Sequence, residues 1–435
     1  MRNRTFIFML LIVSLGSSLA ELQSQTSVPS ESAQTTSTQP PIFNLLDPSG
    51  PFGIGRVGYE WIDNARSDRY SSAPGTHRDL MVYLWYPTPP RAAGVAENYW
   101  PGAKQMDANP DVHHNMTEEF GTLWPLIVSG SFKSHAIESA PVAKAPKQFP
   151  IVLFSHGLGS TSFEYTSLIE DLVSHGYIIA AIEHTYTAAA VVFPDGRVIP
   201  AHHDSEPAGL SPEQRFKRMM DSAALEIRQG AEDLIFVQNK LTELNKSQAQ
   251  NFPLAGKLDL NRTAAVGHSA GGAFATGACQ LDARFHACLS LDGEMPPAMA
   301  FPEFPETKGF HQPVLLLEVD HTGERMPFSP AQYSEFLEKE KAQLSLCPKG
   351  SYDILLKSPG LFHGSFSDYP LRAANGDATK VESATHNLRL TQSFTIAFLD
   401  KYLKDQREPL LDEPSQSPEA VITPYGHKGN ISSGN

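Results

Sequence analysis

The stretch 264-AAVGHSAGGAFATG-277 holds one serine, Ser269, between Gly267 and Gly271, with small apolar residues on either side. The pattern G-x-S-x-G is weak on its own, since ordinary glycine and serine frequencies produce it in about one chain of this size in six. Its surroundings carry the information. "TAAV" reads as a strand entering a turn and "GAFATGAC" as a helix leaving it, so Ser269 falls on a tight strand-to-helix bend. Side chains at 267 and 271 would collide where strand and helix converge, and the bend lifts the Ser269 hydroxyl clear of the backbone. A glycine-rich connection with no chemistry is the competing reading, and the rest of the chain must decide.

Outward from this bend the chain alternates strands and helices. "ACLSLDG" (287–293) is the next strand; "FPIVLFSHG" (149–157) and "YIIAAIEH" (177–184) are short, nearly continuous apolar runs, as parallel strands covered on both faces require. Between those two, Phe163 to His175 has helical spacing and ends at Gly176, a suitable C′ residue. "PVLLLEVD" (313–320) and "YDILLKSP" (352–359) read as further strands, and the alternation from Leu80 to Tyr86 as a half-exposed one. Ser211, Pro212 and Gln214 form a capping box that starts a helix running to about Leu244, with Gly230 as its expected kink. "THNLRLTQSFTIAFLDKYLK" (385–404) is a closing amphipathic helix. Together these predict an α/β fold with a mostly parallel central sheet and helices on both faces.

A serine hydroxyl needs a base to become a nucleophile, and the base needs an acid to fix its tautomer; in this fold class they follow in the order Ser, Asp, His. Two acids compete: Asp292 after "ACLSL" and Asp320 after "PVLLLEV", each at the C-terminal end of a strand. Position alone favours Asp320, from the later strand. His363 in "SPGLFHGSF" follows the last predicted strand and is the expected base. His321 precedes that strand and is a weaker candidate, and His156 and His268 read as structural. An oxyanion needs two N–H donors. Ala270, directly after the nucleophile, supplies one, and Leu158, between the glycines of "FSHGLGS" (154–160), the other. The mechanism requires no metal or cofactor.

With 435 residues, 41% of them hydrophobic and 19% charged, the chain has the composition of a soluble globular protein with a large core. Arg2, Arg4, the apolar run Phe6 to Leu15 and Ser18-Leu19-Ala20 resemble a secretory signal peptide over 1–20, with a mature start near Glu21. The run is shorter than the roughly 20 residues that cross a bilayer, and no later stretch offers another candidate. Residues 21–41 are a Ser/Thr/Gln/Pro-rich leader, 42–408 the folded hydrolase body, and 409–435 an expected flexible tail. The protein is expected outside the cell, or in the periplasm if the source is Gram-negative. Loss of residues 1–20, which hold two arginines and no acid, takes the formal charge from −14 to −16. That acidic balance, without Lys/Arg clusters, argues against nucleic acid and against anionic lipid held by charge. Of three cysteines, Cys279 and Cys288 either bridge a helix to the next strand or stay as buried thiols; with Cys347 they lack zinc-site spacing. Residues 98–130 cover the pocket or touch lipid: Leu123, Trp124, Leu126 and Ile127 form either an apolar contact patch or part of the core, and Asp111, His113 and His114 read as surface residues of a loop.

The ordered segments "FSHGLGS", "LVSHGYIIAAIEH", "VGHSAGG", "SLDG" and "SPGLFHGSFSDYP", with "GPFGIGRV" and "VYLWYP" upstream and "LTQSFTIAFLDKYL" downstream, resemble the platelet-activating-factor acetylhydrolases, the lipoprotein-associated phospholipase A2 group and its microbial relatives. The likeness spans about residues 48–405. It implies an α/β-hydrolase fold with Ser269 as nucleophile, Asp292 as acid, His363 as base and Leu158 and Ala270 as oxyanion donors, and it favours Asp292 over Asp320. Ala270 departs from the large aromatic of the mammalian enzymes, and the segment between Asp292 and His363 is longer. The implied substrates are phospholipids with short or oxidised sn-2 acyl chains, cleaved without calcium, with peripheral contact to lipid surfaces. A secreted esterase for small soluble esters or polyesters is the second expectation. A hydrolase-fold binding protein that has lost catalysis is the third, and the intact Ser269, Asp292 and His363 speak against it.

Overall fold

The computed structural model describes residues 44–426 apart from 72, 74, 203–206, 208, 248–251, 296–308, 322–329, 349 and 414–417. The expected signal peptide and leader lie outside the described residues. In chain order the strands are β1 (Gly53–Ser67), β2 (His77–Thr88), β3 (Ala96–Asn98), β4 (Lys133–Ile137), β5 (Phe149–Ser155), β6 (Ile178–Glu183), β7 (Ala190–Val192), β8 (Val198–Pro200), β9 (Leu258–His268), β10 (Ala287–Leu291), β11 (Val314–Glu318), β12 (Ser351–Leu356) and β13 (Ala420–Tyr425). Eleven of them form one sheet in the order β13-β12-β11-β10-β9-β5-β6-β2-β1-β4-β3, while β7 and β8 pair with each other. The six strands from β12 to β6 in that order are parallel; β2 and β13 flank them antiparallel.

The apolar runs explain this arrangement. Alternate residues of β5 feed different cores: Val152 and Phe154 pack with α4 (Thr166–Ser174) and α9 (Ala378–Leu403) on one face. Ile151 and Leu153 pack with α5 (Pro212–Ser247) and α6 (Ala270–Leu281) on the other. The parallel α/β sheet with helices on both faces is the one expected. At the end of α4, Gly176 adopts φ 91°; its N–H reaches Val173 O and that of Tyr177 reaches Leu172 O, a Schellman cap. The capping box of α5 is also present, with Gln214 N–H to Ser211 Oγ and Ser211 N–H to Gln214 Oε1.

Four local readings are corrected or made specific. The alternation in β2 does not mark a half-exposed strand: its residues 80–86 are buried throughout, because β1 and β6 flank it and its two faces enter different cores. At Gly230 the helix α5 is continuous, and a Cβ there would come within 3 Å of the Phe274 ring, so glycine permits close approach to α6. The chain beyond Glu408 is not one unstructured tail, since β13 covers the open edge of β12 with six paired residues. Finally, 98–130 contains helices α1 (Ala103–Ala108), α2 (Pro110–Phe120) and α3 (Trp124–Ser129). Leu123, Trp124 and Ile127 are core residues and Leu126 packs against them, which is the burial alternative of the two expected. Asp111 and the two histidines sit on α2, whose Asn109 cap accepts from Asp111 N–H and Val112 N–H. His113 pairs with Asp107 at 2.8 Å. Cys279 and Cys288 form a disulfide, and Cys347 is free and buried. No helix among the described residues is long and apolar enough to cross a membrane.

Candidate active site

Parallel strands place their C-terminal ends along one sheet edge, and register then decides which residues meet. Leu291 pairs with His268 and Ser155 with Gly267, so Ser269, Asp292 and the loop from His156 to Leu158 emerge side by side. Ser269 has φ 55° and ψ −126°, a conformation that costs an L-residue roughly 1–3 kcal/mol and that only over-determined surroundings hold. Three glycines supply the room. A Cβ at Gly267 would meet Gly271 O, one at Gly271 would meet the Ser155 and His156 carbonyls, and one at Gly272 would meet Ser290 Oγ, all within 3 Å. Gly293 is confined likewise against Ser269 O, and Asp292 before it also has positive φ, 53°. Two of the positive-φ non-glycine residues, Ser269 and Asp292, thus adjoin each other.

Asp292 Oδ2 lies 2.7 Å from His363 Nδ1. Its other oxygen accepts from Val319 N–H at 3.2 Å and lies 3.0 Å from His321 Nε2. Burial works against the charge, but the hydrogen bonds from His321 and His363 outweigh it and hold the carboxyl well below the usual carboxylate range. Asp292, His321 and His363 also have ligand atoms within 4.8 Å of one another, the spacing of a metal site among the described residues; here the carboxylate already serves as acceptor for both rings. His363 opens a 3-10 turn, His363–Phe366, pinned by Phe362 N–H to Ser365 Oγ at 3.0 Å. Its Nε2 is buried and has no hydrogen-bond partner among the described residues.

Ala270 directly follows Ser269, and Leu158 lies in the loop that leaves β5. Ala270 is the first residue of α6, where a helix leaves its N–H groups unpaired, and among the described residues neither its N–H nor that of Leu158 donates to a backbone carbonyl. A Cβ on Gly157 would stand 3.4 Å from Ser269 Cβ, which sets this loop against the Ser269 bend. Of the rival acids, Asp292 is the one at His363; Asp320 is exposed. His321 is not free to act as an independent base, because it binds Asp292. His156 and His268 are buried and pushed down to about 3, burial being the main cause, so both are neutral. Sequence reasoning missed the hydrogen bonds of Tyr165 and the contact of His321 with Asp292, because their partners lie far along the chain.

The sequence profile of the family described as "Platelet-activating factor acetylhydrolase, isoform II" matches residues 45–413. A platelet-activating factor acetylhydrolase of Cavia porcellus is 25% identical over 379 residues, 80% of this chain and 79% of that protein. A probable 1-alkyl-2-acetylglycerophosphocholine esterase of Arthroderma benhamiae is 30% identical over 176 residues, 38% of this chain and 42% of that protein. Among solved structures, a ferulic acid esterase from Streptomyces cinnamoneus superposes with a TM-score of 0.64 at 28% identity, covering 87% of this chain and 98% of that one.

Proposed function

As a member of the platelet-activating factor acetylhydrolase isoform II family this chain is an ester hydrolase, and we propose that it is an exported serine esterase that cleaves short or oxidised sn-2 acyl esters of phospholipids without calcium. The observation that carries the assignment of roles is the 2.7 Å contact between Asp292 and His363 at the sheet edge where Ser269 turns. Ser269 Oγ attacks the ester carbonyl while His363 Nε2 takes its proton; Asp292, kept ionised, holds Nδ1–H and stabilises the imidazolium. Charge growing on the carbonyl oxygen meets the Leu158 and Ala270 amides, each of such donors contributing about 3 kcal/mol at the transition state. The alcohol leaves with the proton from His363, and water, deprotonated by the same ring, hydrolyses the acyl-serine.

Substrate class is tested with phospholipids graded in sn-2 acyl length, alongside simple acetyl and long-chain esters, all with chelator. The expected outcome is highest kcat/KM for the shortest sn-2 chains, unaffected by chelator. Loss of activity with chelator overturns the metal-free mechanism. A preference for small soluble esters over every phospholipid supports the second reading, a secreted esterase for soluble esters or polyesters, which the ferulic acid esterase neighbour favours. Export is tested by N-terminal sequencing of the extracellular protein, which should begin at Glu21; a start at Met1 would count against it.

A further inference from the structure

A second line of hydrogen bonds runs beneath Ser269 without touching its hydroxyl. Gly157 N–H donates to Tyr165 Oη at 3.1 Å, Tyr165 Oη lies 2.8 Å from His268 Nδ1, and His268 Nε2 lies 2.9 Å from the backbone oxygen of His363. Tyr165 and His268 are both buried, 2% and 5% exposed, so water does not substitute for these partners. The protons along the line can be assigned. A carbonyl oxygen only accepts, so His268 Nε2 carries hydrogen. Burial, and next the neighbouring His363, push the His268 imidazole down to about 3; it holds one proton, and Nδ1 is bare. The Tyr165 hydroxyl therefore donates to Nδ1, and its oxygen accepts from Gly157 N–H. With one proton on the ring, no other placement satisfies all three contacts.

The two ends of this line are the loops that must agree in position for the chemistry to proceed. Gly157 directly precedes Leu158, the expected oxyanion donor, and His363 is the expected base. We infer that Tyr165 and His268 are positioning residues that lock the oxyanion loop and the base loop in one register through the chain Gly157–Tyr165–His268–His363. The rings support that role, since the centre of the His268 ring lies 4.5 Å from that of His363 and 5.6 Å from that of Phe366, leaving it little freedom to turn. Neither residue meets substrate; each acts by holding a backbone. The inference rests on the roles proposed above for Leu158 and His363. A displacement of reacting groups by about 1 Å costs on the order of a hundredfold in rate, so a lock of this kind acts on kcat rather than on binding.

The test is a cycle of Tyr165→Phe, His268→Leu and the double variant, with kcat, KM and melting temperature recorded for each. The expected result is that each single variant lowers kcat about tenfold, with KM within about twofold, and that the double variant falls no further than the poorer single one, because either change opens the same line. A double variant whose loss is the product of the single losses, about a hundredfold, overturns the inference, as does a loss that appears in KM alone. A second measurement uses the unaltered protein: ring nitrogen–proton correlation by NMR should give His268 as the neutral Nε2–H tautomer from about pH 5 to pH 8. An Nδ1–H tautomer, or a titration in that interval, overturns it even if the variants fail to fold. Ser269→Ala separates the two readings. It should abolish hydrolysis and leave the His268 tautomer unchanged; retained hydrolysis would sink the proposed nucleophile, with the tautomer still deciding the lock.

Discussion

Asp292 accepts three N–H groups, from His363, His321 and Val319, and this saturation makes its replacement informative. Asparagine would fit the space but present an amide N–H₂ where one of these donors now points. At His363 that forces the proton to Nε2, the atom that must receive hydrogen from Ser269. Asp292→Asn should therefore lower kcat by about 10⁴ while leaving the fold intact, the cost of a wrong tautomer in such a triad. Asp320→Asn, at an exposed position, should change kcat by less than about threefold. Steady-state kinetics on one short-chain ester checks both, and the reverse ranking would transfer the acid role to Asp320. The contest was legible in the sequence, because both acids follow apolar strands. Strand position alone pointed the wrong way, to Asp320, and only the family resemblance favoured Asp292, because the choice depends on which strand lies beside β9: β10 does, and β11 is one place further out.

At the scale of elements, the Ser269 bend at Gly267 and Gly271 stands on backbone meeting backbone, whereas the α5–α6 crossing at Gly230 stands on backbone meeting a ring. The two contacts respond differently to a methyl group. Gly271→Ala drives Cβ into the carbonyls of Ser155 and His156, which belong to a central strand and its exit and cannot swing aside. We expect a loss of roughly 3 kcal/mol or more, seen in a denaturant midpoint or as insoluble protein. Gly230→Ala meets the Phe274 ring, which can turn, and recovers about 1 kcal/mol of helix propensity, so its loss should be clearly smaller. Equal losses would refute the distinction. The same contrast governs what the sequence disclosed. Core strands, the α5 capping box and the Gly176 terminus were legible because apolar runs and caps are local signals. The edge strands β3 and β13, and β4 beside β3, were not, because a strand of three to six partly exposed residues is defined by its neighbour. The Tyr165–His268 contact joins residues 103 apart, and only its histidine lies within a motif the sequence singled out.

Across the whole molecule, buried acids that take no part in the proposed reaction set how stability responds to pH. Glu183, at the end of β6, is 2% exposed and accepts Ser162 N–H and O–H through Oε1, while its Oε2 has no hydrogen-bond partner among the described residues. Asp368, 1% exposed beside the base loop, is similarly placed against Ser167 N–H. Burial pushes both up to about 7, the hydrogen bonds opposing it only in part. A carboxyl whose folded affinity for protons exceeds its unfolded one contributes stability that is full below the unfolded pKa, about 4, and is lost as pH rises through the folded value near 7. For Glu183 the loss from about pH 5 to pH 8 is on the order of 2 kcal/mol, roughly 3 °C in melting temperature for a chain of this length. The neutral His156 and His268 act with the opposite sign: their contribution is full above about 6.5 and is lost as pH falls toward the folded value of about 3. Because the two classes offset each other in the unaltered protein, the measurement must be a difference. Glu183→Gln keeps an acceptor for Ser162 and removes the titration, so its melting temperature relative to the unaltered chain should rise by roughly 3 °C between about pH 5 and pH 8. Parallel melting curves for the two proteins across that range would mean that Glu183 titrates as an ordinary acid, and that the strand end bearing it is hydrated rather than sealed beneath the loop it supports.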